Sequence, residues 1–244
     1  MRRVLAVVVL LTPGLVACGD DDEQKLQVLA ASSLTEAYRA LARDYELDHP
    51  GVEVELILGS STDLAETAAD GAPGDVLATA DETSMQVAVD AGATAAAPQV
   101  FAYNELVIVT APRNPEEVAS LDDLSGLDWV RCADAVPCGR IAVTLLGSAG
   151  VTAEPVSLEA DVKATLEKVA AGEADAGLVY ASDAATAGRA VASVPIEGAA
   201  EVPAVYYVAP LAQAADSDLA DDWISLVNSA AGDVALTRAG FVTP

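Results

Sequence analysis

The sequence predicts an α/β protein of two lobes, each a mixed, mostly parallel sheet flanked by helices, joined by two crossing strands. Three observations predict it. Short apolar runs alternate with amphipathic segments from residue 26 onward. The alternation changes after "NELVIVTAP" and a second set begins. A late apolar run, "AVYYVAP", then carries the tail back toward the first set. Strand–helix alternation of this kind implies parallel strands covered on both faces.

The elements follow in order. "LQVLA" (26–30) is a strand, and the stretch from Leu34 to about Leu47 is a helix. Its apolar positions Leu34, Ala37, Tyr38, Leu41, Ala42 and Tyr45 fall at helical spacing, and His49-Pro50-Gly51 breaks it. "VEVELIL" is a strand and "TDLAETAAD" a helix stopped by Gly71; "DVLATA" is a strand and "ETSMQVAVDAG" a helix ending at Gly92. The second set has a strand near Trp129 to Cys132 and a helix from about Gly139 to Gly147. A helix "SLEADVKATLEKVAAG", a strand "AGLVY" and a short helix from Ser182 follow. "AVYYVAP" is a further strand, and Asp218 to Ser229 a terminal helix with Trp223 on its apolar face. The expected division is a first lobe of 26–103 and 208–244 and a second of 104–207, hinged near Tyr103-Asn104 and Tyr206-Tyr207.

The head of the chain is processing signal. Arg2 and Arg3 precede the apolar run Val4 to Leu11, and the segment closes on Leu15-Val16-Ala17-Cys18. This is a secretory signal peptide over 1–17, too short for a committed membrane span. A cysteine directly after Leu-Val-Ala resembles the bacterial lipobox, which implies lipidation of Cys18. Residues 18–25 then form a solvated tether, and the protein is exported and lipid-anchored to the outer face of the cell membrane. With 12 basic residues against 38 acidic ones, a formal net charge of −26, nucleic acid is a poor partner. Cys132 and Cys138 lie in "RCADAVPCGR". In an oxidising compartment this pair is expected to form a disulfide worth about 2 kcal/mol, free thiols being the alternative.

Two serine pairs, Ser32-Ser33 and Ser60-Ser61, stand between a strand and a helix. One reading is structural: Ser33 caps its helix and Glu36 reaches back, a capping box. The other is a site. Helix N-termini leave N–H groups unsatisfied and carry partial positive charge, so they hold anions without a charged side chain. Two such junctions at carboxyl ends of parallel strands fall where open α/β sheets bind ligands.

The stretches "AASSLTEA", "GSSTDLAETAADGAPGDVLATAD", "NELVIVTAPRNP", "VPCG", "ADVKATLEKVAAGEADAGLVYASDA" and "AGFV" run from about residue 27 to 242. In these the chain resembles the periplasmic molybdate-binding lipoproteins of ABC importers, within the type II, two-lobed periplasmic-binding-protein-like fold. The resemblance implies a tetrahedral oxyanion, molybdate or tungstate, held by neutral donors. Carried over by position, these are the hydroxyls and backbone N–H groups of Ser33 and Ser61, the backbone N–H of Cys138 and of Val162, and the Tyr180 hydroxyl. The only metal is then the one inside the oxyanion. At "VPCG" relatives often have alanine where Cys138 stands, a change that a backbone donor tolerates. The resemblance further implies no cofactor and no enzymatic activity, an ABC permease as membrane partner, and a monomer.

His49, the one histidine, sits in a polar turn and is expected to be a turn residue. No G-x-S-x-G elbow is present, so an exported hydrolase would have to build its triad on that histidine. Asp75, Asp81 and Asp183 are expected to anchor strand ends and turns, with paired-carboxylate acid–base work as the alternative. Tyr206 and Tyr207 are read as interlobe strand packing. Within binding proteins, sulfate or a small organic acid is the rival cargo.

Overall fold

The computed structural model describes residues 24–244. The signal peptide, Cys18 and the tether up to residue 23 lie outside the described residues. Gln24 and Lys25, expected in the tether, instead open β1 (Gln24–Ala31) and pair with Val52 and Glu53. Among the described residues no helix is long and apolar enough to cross a membrane.

In the first lobe β1 is followed by α1 (Thr35–Asp48), β2 (Val52–Gly59), α2 (Ser61–Ala69), β3 (Val76–Thr79), α3 (Glu82–Asp90) and β4 (Gln99–Asn104). The second lobe comprises β5 (Leu106–Thr110), β6 (Trp129–Cys132), α4 (Pro137–Ala149), β7 (Ser157–Glu159), α5 (Val162–Ala170), β8 (Ala176–Tyr180), α6 (Ala181–Ala187) and β9 (Ala192–Pro195). The chain then returns through β10 (Ala204–Pro210) and ends in α7 (Ser217–Val227) and α8 (Ala230–Arg238).

Two five-stranded sheets result, in the orders β2-β1-β3-β10-β4 and β7-β6-β8-β5-β9. In the first, β1 runs parallel to β2 and β3, while β10 is antiparallel to β3 and β4. In the second, β6 is parallel to β7 and β8, and β5 is antiparallel to β8 and β9. The central strands β3, β5 and β8 are buried throughout, as strands covered by helices on both faces must be. α7 folds back on the first lobe, where Trp223 meets Tyr38 and Tyr45 edge-on at centroid separations of 5.5 and 5.6 Å.

Four expectations need correction. The whole of β10, Tyr206 and Tyr207 included, pairs inside the first sheet. The second crossing therefore falls between Pro195 and Ala204, before the expected boundary at 207, because this strand completes the ladder between β3 and β4. "SLEADVKATLEKVAAG" is not one helix. Ser157–Glu159 pairs with β6, and the helix starts at Val162 because the Asp161 carboxylate caps it. The terminal segment is two helices, with Ser229 capping the second. Strands β4 and β9, which the sequence reading did not separate from their surroundings, flank the crossings.

The consequence for function is positional. Residues that leave the carboxyl ends of β1, β2 and β3 in one lobe and of β6, β7 and β8 in the other line one cavity. The segments leaving those strand ends are the ones that carry the serine pairs, Cys138, Val162 and Tyr180.

Candidate functional site

After β1, Ser32–Leu34 form one turn of 3-10 helix before α1. The capping box does not form. The residue at the N-cap of α1 is Leu34, with no side-chain cap bond. The Ser33 hydroxyl lies instead 2.8 Å from the Tyr206 hydroxyl, and Glu36 pairs with Lys163 at 2.8 Å. Tyr206 is thus more than strand packing, since it holds one of the site hydroxyls. Tyr207, its neighbour on the opposite face of the strand, packs on a separate apolar cluster around Leu29 and Leu77.

The second pair is arranged differently. Ser60 occupies the N-cap of α2, yet its side chain makes no cap bond and its buried Oγ has no partner. Ser61 opens the helix, and its Oγ accepts the Ala80 N–H at 3.0 Å. An oxygen that accepts there keeps its own proton free to donate elsewhere.

In the other lobe α4 starts on Pro137, whose fixed φ suits a first helical position. No side chain caps this helix, so the first-turn N–H groups have no intrahelical acceptor. A disulfide joins Cys138 to Cys132 at the end of β6. A Cβ at Gly139 would fall 1.8 Å from the Ala133 carbonyl oxygen, so only glycine lets this turn lie so close to the strand exit. At α5, Asp161 Oδ1 accepts from the N–H groups of Lys163 and Ala164, at 2.8 and 3.0 Å. Val162, ahead of both, keeps its N–H. Tyr180 ends β8 with its buried hydroxyl unpartnered.

These features meet. A cavity of about 20 Å³ is lined by Ser33, Ser60, Ser61, Cys138, Val162 and Tyr180. All five residues that the sequence singled out lie on its wall, three of them from the second lobe. Ser60 and Ser32 line it as well; the serine doublets marked them, but nothing local said which member would turn inward. Asp161 is the one charged residue of the lining, and one of its oxygens is occupied by the two α5 amides. The wall is therefore made of hydroxyls and first-turn amides, with helix N-termini adding partial positive charge. Burial pushes the Tyr180 and Tyr206 hydroxyls far above the usual tyrosine value, so both keep their protons at any ordinary pH.

The remaining candidates are structural. Asp75 accepts the Gln27 and Ala215 amides, each at 2.7 Å, and ties the tail to β1. Asp81 caps α3 through Ser84 N–H and pairs with Arg140. Asp183 is wholly buried, 3.1 Å from Lys163 Nζ; burial pushes its carboxyl up to about 6. His49 ends α1, stacks on Tyr45 at 4.0 Å and lies 3.9 Å from Asp222 Oδ2. Among the described residues Asp161 is the one carboxylate in the cavity lining.

Comparison with known proteins agrees with the fold and the family. Residues 26–242 match the family described as bacterial extracellular solute-binding protein. The molybdate-binding protein ModA of Mycobacterium tuberculosis H37Rv is 37% identical over 248 residues, 96% of this chain and 95% of that one. The periplasmic molybdate-binding protein of Azotobacter vinelandii superposes with a TM-score of 0.80 at 19% identity, covering 90% of this chain and 99% of that one. The sulfate-binding protein SubI of Mycobacterium tuberculosis H37Rv gives 0.77 at 16% identity, covering 89% and 86%. With its sheet pair, its cleft and its sequence all agreeing, the chain belongs to the bacterial extracellular solute-binding protein family.

Proposed function

We propose that this protein captures molybdate or tungstate between its lobes and delivers it to an ABC permease. The observation that carries the reading is the make-up of the wall: converging hydroxyls and helix-start amides, two of the hydroxyls unpartnered, no cation in the lining, and a single carboxylate, Asp161, that is engaged in capping α5. A tetrahedral oxyanion without a proton presents acceptors in every direction and matches such a wall. Hydrogen bonds to a charged group contribute roughly 1.5–3 kcal/mol each. The repulsion from the net charge of −26 is screened within about 8 Å at physiological salt. The lobes hinge where the chain crosses, at Asn104–Leu106 and between Pro195 and Ala204. At the first crossing Asn104 Nδ2 donates to Ser182 Oγ at 2.8 Å, which gives the pivot a fixed anchor. The protein acts as a monomer, since one chain supplies the whole wall.

Calorimetric titration with molybdate, tungstate, sulfate and phosphate tests the reading. Molybdate and tungstate should bind alike and phosphate poorly, because its remaining proton needs an acceptor. Affinity should be flat between about pH 7 and 9, because burial keeps the wall's tyrosine protonated there. Below pH 6 it should change as Asp183 gains its proton and Lys163 loses one of its two carboxylate partners. The sign for stability follows the same group. Its folded value of about 6 lies above the ordinary 3.8, so its contribution is full below that ordinary value and lost as pH rises through about 6. Tight sulfate binding without molybdate or tungstate binding would reassign the cargo.

The same proposal places the protein outside the cell membrane, held by lipid on Cys18. Cys18→Ala is expected to release folded, ligand-binding protein into the soluble fraction; a variant still in the membrane pellet would count against the anchor.

A further inference from the structure

Lysine and arginine number only 12 beside 38 acidic residues, yet two of them stand at the rim of the cleft and neither points into it. Lys163 follows Val162 on α5. Its Nζ lies 2.8 Å from Glu36 Oε2 and 3.1 Å from Asp183 Oδ1. Glu36 belongs to the first lobe, three residues after Ser33. Asp183 belongs to the second, three residues after Tyr180. Arg140 stands two residues after Cys138 on α4. Its Nε and Nη2 reach Asp81 Oδ2 at 2.8 and 2.6 Å, and Nη2 also donates to Ser84 Oγ at 3.0 Å. The Ala135 carbonyl accepts from Arg140 Nη1 and, across the cleft, from Thr62 Oγ1 at 3.0 Å. Thr62 is the residue after Ser61.

The two clusters share one plan. Each cation sits within two residues of a second-lobe amide donor and is held by its own lobe, Lys163 by buried Asp183 and Arg140 by the Ala135 carbonyl. Each then meets a carboxylate of the first lobe that stands beside a first-lobe donor. Glu36 follows Ser33, and Asp81 follows Ala80, whose N–H binds Ser61. The pairs lie on different segments, one joining α1 to α5 and the other α3 to α4.

On the oxyanion-binding reading above, we infer that Glu36–Lys163 and Asp81–Arg140 are cross-cleft clasps, positioning residues that hold the lobes shut over the anion and set how slowly it leaves. A cation pointed into the cavity would attract any anion, protonated phosphate included. Paired with a carboxylate across the cleft, it links lobe to lobe and leaves selection to the directed hydroxyls and amides. The four side chains remain 18–42% exposed, so salt can reach and weaken both pairs. Each cation keeps its own-lobe partner in an open protein, so closure has to order the first-lobe groups alone: Glu36 at Lys163, and Asp81 with the Ser84 hydroxyl at Arg140.

Glu36→Gln and Asp81→Asn test this, because both preserve side-chain shape and Asn still caps α3. Dissociation is measured by rapid displacement at low and high salt, after titrating the parent with molybdate, tungstate, sulfate and phosphate. Each variant should release ligand about three- to fivefold faster than the parent, with association within about twofold. The ligand-free melting temperature should not move, and the double variant should lose most of the parent's salt-accelerated release. Release within about twofold of the parent in both variants would overturn the clasps. So would a ligand-free melting temperature that falls as far as the ligand-bound one, since the pairs would then be ordinary structural links. A parent that binds sulfate but neither molybdate nor tungstate removes the proposed cargo and leaves the clasps to be read on sulfate. A parent that binds none of the four removes both.

Discussion

Saturating molybdate, at about a thousand times its Kd, is expected to stabilise the folded chain by about 4 kcal/mol. For a protein of this size that corresponds to a rise in melting temperature of roughly 8–16 °C, readable by scanning calorimetry. The effect is large because the unfolded chain has no site to offer. The wall donors leave five different strands, and they converge only when both sheets are formed and the lobes face each other. Tungstate should give a similar shift. No rise with either oxyanion would remove both as cargo.

Tyr180→Phe is expected to weaken molybdate binding about ten- to a hundredfold, the loss of one charge-assisted bond. It is the most discriminating substitution because the Tyr180 hydroxyl is buried and unpartnered without ligand. Removing it relieves an unsatisfied polar group, so the ligand-free protein should be no less stable, and binding alone should suffer. Ser61→Ala should lose a similar amount of affinity and also leave the Ala80 N–H without its acceptor, lowering stability as well. Ser33→Ala likewise removes the hydroxyl partner of Tyr206 and leaves it Asn104. Ser60→Ala joins the set, since its Oγ is the other unpartnered hydroxyl on the wall. Calorimetry and melting curves run together separate the two effects. Tyr180→Phe and Ser61→Ala variants that bind molybdate like the parent would make the constellation structural.

Much of the architecture was readable along the chain. The helical spacing from Leu34 to Tyr45 marks α1, and His49-Pro50-Gly51 ends it within a residue or two of the observed Asp48. The apolar runs that became β3, β6, β8 and β10 were visible for the same reason: period and breakers are set by near neighbours. Where local signals conflicted, the reading failed. "SLEADV" looks helical by composition, yet Ser157–Glu159 joins a sheet edge offered by β6. Only a neighbouring strand makes those three residues a strand. The crossing expected at Tyr206-Tyr207 moved for a like reason, because the pairing partners of β10 are β3 and β4.

The candidate site divides in the same way. The sequence by itself marked the two-lobed α/β class and the serine doublets at strand ends, and the family resemblance nominated Cys138, Val162 and Tyr180. Tertiary structure alone decided what each polar side chain does. Ser33 and Glu36 match a capping box in spacing, but their partners, Tyr206 and Lys163, lie 173 and 127 residues away. A cap on an exposed helix end contributes about 1 kcal/mol. A buried hydroxyl or a cross-cleft carboxylate answers to whichever partner the folded lobes bring within 3 Å, since leaving such a group unpaired costs about 1–3 kcal/mol. Local spacing can therefore nominate a residue for a site, whereas the direction its donor faces is settled by contacts that exist only once both sheets have formed.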